Sequence, residues 1–352
     1  MAGRRDVGRP GAGRFLYNGG VTGLLKLLSW LALTAVVLIA AAGAYTLYWN
    51  GRALPVTEDI RVELEPGQSF AAFADALEHE GLLTHARLWS VLARLSGAAR
   101  RVQAGEYWVR VGDTPAGLLD RLLAGDVVVY EVKLLEGWTV RQALAQLAVQ
   151  EPLLHELDGA DETTLLGALG LPAGHAEGMF FPDTYRYERG ASDADILRRA
   201  YNKLQDVLAA VWASRDSGLP YETPYQVLIA ASLIEKETGR DEDRAKIAQV
   251  FATRLAKGMR LQTDPSVIYG VGGTFDGNLT RRHLVTDTPY NTYTRKGLPP
   301  TPIALVGARS LDAAVHPAGG DYLYFVSRGD GTSHFSASLE EHEAAVRKYQ
   351  LQ

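Results

Sequence analysis

The distribution of apolar and polar residues divides the chain into stretches of different texture. Residues 27–49 form 23 consecutive positions without a charge, broken only by Ser29, Thr34 and Thr46. A helix of that length rises about 34 Å, enough to cross a hydrocarbon core of about 30 Å. Trp30 near one end and Tyr45, Tyr48 and Trp49 near the other sit where interfacial aromatics belong. Residues 50–58 read as a short polar linker. Beyond it, a strand-like pattern gives way to helical periodicity three times. Gly67-Gln68-Ser69 precedes the apolar-periodic stretch 70–77, Gly112-Asp113-Thr114 precedes 115–123, and Gly137-Trp138-Thr139 precedes 140–147. In each the glycine turns the chain and the hydroxyl can cap the first free N–H groups of the helix. Three such units predict a small α+β module over residues 59–150, with irregular spacing that excludes a solenoid. The same pattern is also ordinary helix-start chemistry, with no binding meaning of its own.

The remainder, 151–352, reads as one larger mixed region. Residues 151–176 carry helix and loop patterns of little chemical content. Gly178 to Tyr187 concentrates four aromatics with Asp183 and Arg186, a composition that suits a sugar-binding groove or a core turn equally. Residues 224–238 are apolar on nearly every side from Val227 to Ile234, which predicts a helix buried in mid-domain. Thr223 with Gln226 forms a capping box at its start, Pro224 fits the first turn, and Gly239 is a natural stop. Residues 258–270 read as a polar loop with Asp264 ahead of a proline. Residues 287–302, with four prolines, are too irregular for regular structure, and long ordered loops often carry binding groups. A strand at 321–326 and a final helix at 338–349 close the chain.

Charge adds a topology. Residues 1–26 carry a net +4 and the rest of the chain −9, within a formal total of −5. The positive-inside rule therefore places the N-terminus in the cytoplasm and everything past residue 50 outside. A cleavable signal peptide would have an apolar core of about 7–15 residues, so the longer run reads as an uncleaved anchor. The chain has no cysteine, which excludes a disulfide scaffold, a thiol nucleophile and thiolate metal sites. The mild acidity gives no sign of nucleic-acid binding. The eight histidines form no His-Glu-x-x-His helix, and His283, His316 and His334 read as lone structural residues more readily than as ligands. Nucleophile-elbow, Walker A and dinucleotide motifs are absent.

The chemistry concentrates at the end of the apolar helix, in Glu235-Lys236-Glu237. Burial and the negative end of the helix dipole both disfavour an ionised carboxylate there. A carboxyl kept protonated near neutral pH is what a general acid for glycosidic cleavage requires. The two glutamates stand about 200° apart around the helix, so they cannot share one cleft. Periodicity does not choose between them, and a solvated Glu-Lys-Glu helix end would look the same.

Longer motifs carry a resemblance. Ala231-Ser-Leu-Ile-Glu-Lys-Glu-Thr238, Met259-Arg-Leu-Gln-Thr-Asp-Pro-Ser-Val-Ile-Tyr-Gly270, Tyr290-Asn-Thr-Tyr-Thr294 with Gly297-Leu-Pro-Pro300, and His316-Pro with Tyr322-Leu-Tyr-Phe-Val326 resemble the endolytic murein transglycosylase family, MltG/YceG-like. The resemblance covers nearly everything after residue 25. It implies a single-pass bacterial inner-membrane protein: a cytoplasmic basic tail (1–26), a transmembrane helix (27–49), a linker (50–58), a LysM-like glycan-binding module (59–150) and a periplasmic α+β catalytic domain (151–352) with a lysozyme-like catalytic helix. It implies cleavage of nascent peptidoglycan strands between N-acetylmuramic acid and N-acetylglucosamine, leaving 1,6-anhydro ends and terminating elongation. One glutamate would act first as acid and then as base, with no metal or cofactor. Glu237, which directly precedes Thr238 as the acid precedes a Ser or Thr in lysozyme-like transglycosylases, is the expected catalyst, and Glu235 its competitor. Gln262, Asp264, Asn291 and Tyr293 are expected to orient the sugar or the acid. The implied partners are glycan strands, the inner membrane and peptidoglycan synthases of the elongation or division machinery. An anchored wall-binding or division scaffold without catalysis, and a hydrolytic muramidase, are the alternatives.

Overall fold

A computed structural model describes residues 19–350, with side chains from residue 23 onward. The chain divides into two compact units, 1–128 and 129–352. Both are mixed α+β. The basic tail expected over 1–26 lies for the most part outside the described residues.

The first unit begins with α1 (Gly19–Asn50), whose segment Gly23–Asn50 is long and apolar enough to cross a membrane. The last turn of α1 is not free. Trp49 is buried, and its indole N–H donates to Thr84 Oγ1 at 2.9 Å, while the Tyr45 hydroxyl meets His85 Nε2 at 2.8 Å. Residues 50–58 are not a loose linker either. Leu54 is buried in the same core, and its N–H donates to Asp113 O at 2.7 Å. β1 (Ile60–Leu64) leads to α2 (Phe70–His79) and α3 (Ala86–Leu95), and β2 (Gly105–Val109) to α4 (Pro115–Ala124). β1 and β2 pair antiparallel, with Val62 opposite Tyr107, and the helices pack Phe70, Phe73, Trp89 and Leu118 against them.

The second unit starts with β3 (Val129–Lys133) and α5 (Val140–Ala148). The three glycine–hydroxyl helix starts have the expected local form: Ser69, Thr114 and Thr139 each accept from the backbone N–H three residues on. They do not make one module. β3 pairs antiparallel with β4 (Thr184–Glu188), far along the chain, so the third repeat belongs to the second unit and the division falls at 128/129 rather than after 150. Between them lies α6 (Leu165–Ala168). The aromatic stretch before and within β4 is a core turn: Phe180, Phe181, Tyr185 and Tyr187 are all buried, and the Tyr185 hydroxyl donates to Phe181 O.

α7 (Asp193–Ser214), α8 (Pro224–Glu237) and α9 (Asp241–Ala256) form the helical core, with α10 (Asp264–Val271), α11 (Arg281–Val285) and α12 (Ala308–Val315) around it. Residues 264–271, expected as loop, are helical because a proline in the first turn costs no hydrogen bond and Val267 and Ser266 face the core. β5 (Tyr324–Ser327) and β6 (Ser333–Ser336) form a hairpin that carries α13 (Leu339–Tyr349). α8 is the centre of this unit. Every residue from Val227 to Ile234 is buried, so the helix cannot roll without opening the core. Thr223 accepts from Gln226 N–H, while the Gln226 side chain accepts from Glu222 N–H rather than closing a capping box on Thr223. At the other end Thr238 turns extended and stops the helix, so Gly239 does not serve as a left-handed cap.

A second buried carboxylate pins the frame. Glu177 accepts from Val140 N–H at the start of α5 (3.0 Å) and from the Tyr269 hydroxyl on α10 (3.1 Å), and burial raises its pKa to about 7.

Candidate active site

The rigid α8 delivers two glutamates to opposite destinations. Glu235 points to α9, where Arg244 Nη2 lies 3.7 Å from its Oε1 and both side chains are about 5–6% exposed. Its Oε2 accepts from Gly307 N–H at 3.2 Å. Arg244 is held further by the Ser310 hydroxyl and by Asp241. Glu235 is thus one half of a buried ion pair that ties α8 to α9 and α12.

Glu237 points the other way, into a cleft of about 670 Å³. Burial raises its pKa to about 7, the nearby Asp264 charge adds to the rise, and the Thr263 hydroxyl and the Arg254 guanidinium oppose it. Thr263 donates its hydroxyl to Glu237 Oε1. That hydroxyl is well fixed. Thr263 N–H donates to Thr292 Oγ1 at 3.0 Å, Ser266 donates to Thr263 O at 2.8 Å, and Ser266 and Thr292 meet at 2.9 Å.

Residues 261–264 alternate, with Leu261 and Thr263 buried and Gln262 and Asp264 exposed toward the cleft. Gln262 holds φ +52°, a left-handed conformation uncommon outside glycine, and its N–H donates to Thr292 O. The strained turn lets the strand-like segment present Thr263 to Glu237 and its neighbours to the cleft. Tyr293 completes this wall. Its hydroxyl donates to Asp264 Oδ1 at 2.6 Å, and its own pKa is raised by burial and by that bond.

Of the residues expected from sequence, Glu237, Gln262, Asp264 and Tyr293 therefore line one cleft. Asn291 does not. It is 1% exposed, its amide donates to the carbonyls of His283, Leu284 and Thr286, and its Oδ1 accepts from Tyr293 and Thr294 N–H. It shapes the loop that carries Tyr293 and has no capacity left for a ligand.

The opposite wall joins Tyr324, from the 322–326 motif, to residues that no motif announced: Arg254, Ser333 and His342. Arg254 donates to the Leu323 and Leu261 carbonyls at 2.7 and 2.6 Å and lies under the Tyr324 ring at 5.2 Å. It fastens the hairpin to the Gln262 turn. Tyr324, Ser333 and His342, from β5, β6 and α13, face the cleft from there. Among the described residues no group of three or more His, Asp or Glu side chains comes together as a metal site requires.

A buried carboxyl of raised pKa, steadied by a hydroxyl and opened to a polar cleft on an α+β frame, is the arrangement a general acid requires. The chain belongs to the YceG-like family, whose pattern it matches over residues 62–348. It is 30% identical over 328 residues to the endolytic murein transglycosylase of Bacillus subtilis (strain 168), covering 87% of this chain and 90% of that one. It is 26% identical to the endolytic murein transglycosylase of Streptococcus pneumoniae serotype 2 (strain D39 / NCTC 7466), over 90% of this chain and 64% of that longer protein. A crystal structure of a YceG-like protein from Listeria monocytogenes superposes with a TM-score of 0.51 at 28% identity, over 82% of this chain and 99% of that one.

Proposed function

We propose that this protein is an endolytic murein lytic transglycosylase in which Glu237 is the sole acid and base. The observation that carries the reading is the Glu237 carboxyl itself, desolvated, raised to about 7 and aimed into the cleft. Protonated, it gives its proton to the glycosidic oxygen as the bond from C1 of N-acetylmuramic acid breaks. As carboxylate it then takes the proton of that sugar's C6 hydroxyl, whose oxygen attacks C1 and closes the 1,6-anhydro ring. The proton count balances and no water enters. The nucleophile is already attached to the substrate, so orientation supplies much of the acceleration. The Thr263 hydroxyl, bonded to Oε1, favours the carboxylate at the moment it forms. Gln262, Asp264 and Tyr293 orient the sugar beside it.

The same reading assigns the first unit, from residue 59, to a LysM-like glycan-binding module, α8 to a lysozyme-like catalytic helix, and α1 to a single-pass anchor. The length and apolarity of α1 support the anchor, and the +4 charge ahead of it supports a catalytic domain on the periplasmic side of the inner membrane. Peptidoglycan synthases are the expected neighbours there.

Hydrolysis is the second reading, favoured by Asp264, a second carboxyl in the same cleft of the kind paired glycosidases use. Mass spectrometry of products from purified glycan strands separates the two: anhydro ends for the lytic route, reducing ends one water heavier for hydrolysis. Glu237→Gln is expected to abolish release while wall binding persists. Activity retained in Glu237→Gln, or strands left intact by the wild type, refutes the assignment.

A further inference from the structure

The cleft does not end at Glu237. A second trough of about 470 Å³ lies on the other side of the α8 terminus, and Gly239 lines both. Gly239 has no conformational reason to be glycine. Its φ is not left-handed, Thr238 has already ended the helix, and a Cβ built there meets no atom within 4 Å. What the missing side chain leaves is open space between two cavities.

The trough beyond is suited to a saccharide. Its lining is mostly polar: Glu136, Gln142, Lys236 and Arg309 offer donors and acceptors, with the half-buried Trp138 beside them. Its floor is closed by the Glu235–Arg244 pair, whose side chains are about 5–6% exposed, so the trough is a surface channel and not an entrance to the core. We propose that Gly239 is the saddle of one continuous groove, across which a glycan strand held at Glu237 runs on into the Trp138 trough. This rests on the transglycosylase reading and extends it. Cutting within a strand requires that the polymer continue in both directions from the scissile bond, and the trough is where one arm lies. Gly239 and Trp138 then determine how long a substrate the enzyme prefers, while Glu237 determines what is done to it.

Gly239→Trp places a ring on the saddle where the backbone conformation admits any residue. Gln142→Trp, at an exposed position of α5 on the trough, obstructs it independently. Full-length protein in detergent is assayed on peptide-free glycan strands many disaccharides long and on tetrasaccharides, with anhydro products counted on each. The ratio of long-strand to tetrasaccharide turnover is expected to fall about tenfold or more in each variant, the worth of one modest binding contact, with cuts shifting toward strand ends. An unchanged ratio, or equal loss on both substrates in a protein that melts normally, overturns the inference. A wild type that releases no anhydro product from either substrate refutes instead the reading on which it rests.

Discussion

Replacing Glu237 by Gln should remove activity and make the protein more stable, in a manner set by pH. The folded carboxyl titrates near 7 against an ordinary 4.5, with burial as the main cause. Below pH 4.5 the group is protonated folded and unfolded alike, and an amide of the same shape changes little. Between 4.5 and 7 the unfolded chain ionises while the folded one must hold its proton, so the wild type loses stability as pH rises. Above 7 the loss is complete. At about 1.4 kcal/mol per pH unit, the full penalty is about 3 kcal/mol. The Thr263 hydroxyl can still donate to the amide oxygen, so the substitution leaves that contact in place. Glu177, also near 7, adds a similar slope, but it is common to both proteins and cancels in their difference. Urea unfolding of both proteins at pH 5 and pH 8 measures the effect. The variant should gain little at the lower pH and about 2–3 kcal/mol at the higher. A gain independent of pH, or a loss at pH 8, would show that Glu237 is hydrated and is not the strained acid described above.

Thr263→Val removes the one hydrogen bond that favours the carboxylate, while the backbone bonds of residue 263 remain. A bond to an ionised group contributes about 1.5–3 kcal/mol, so the alkaline limb of the pH–rate profile should move upward by about one pH unit or more. An unmoved limb refutes the role. Glu235→Ala leaves Arg244 without its buried partner and should destabilise toward the lower end of about 3–5 kcal/mol, since Asp241 still shares the guanidinium. Its pH profile, read on the folded fraction, should stay where it is; a shift like that of Thr263→Val would return Glu235 to the catalytic role. Trp49→Ala should lower the unfolding midpoint of the first unit, at a cost of about 3–5 kcal/mol; unchanged melting would show that the end of α1 is not part of that core.

The apolar helix was legible because nothing about it depends on distant residues. Thr223 and Pro224 start it, and its all-round apolarity states its burial. The choice between Glu235 and Glu237 was not legible from periodicity, because it depends on what each meets. Arg244 and Gly307 meet one, and Thr263 the other, from segments whose approach no local pattern encodes. Asn291 illustrates the reverse error. A polar amide in a proline-rich loop resembles a ligand-binding group, yet the loop has carbonyls of its own to satisfy and consumes the whole side chain. The aromatic stretch before β4 could have been groove or core, and the pairing of β3 with β4 made it core. The strand and helix of the far wall were legible, but not their place on the cleft, because Arg254, which fastens them, looks like any helix-surface arginine until its guanidinium is seen to donate to the Leu323 and Leu261 carbonyls.

The end of α1 has a mechanical consequence. A helix across a bilayer adapts to the thickness of the hydrocarbon by tilting. A flexible tether would absorb that rotation. Here Trp49 and Leu54 are part of the first unit's own core, so α1 and the module behind it turn as one lever. With α1 spanning the bilayer as proposed, bilayer thickness becomes an angular input to this unit, and a membrane that thickens or thins re-aims the face the unit presents to its surroundings.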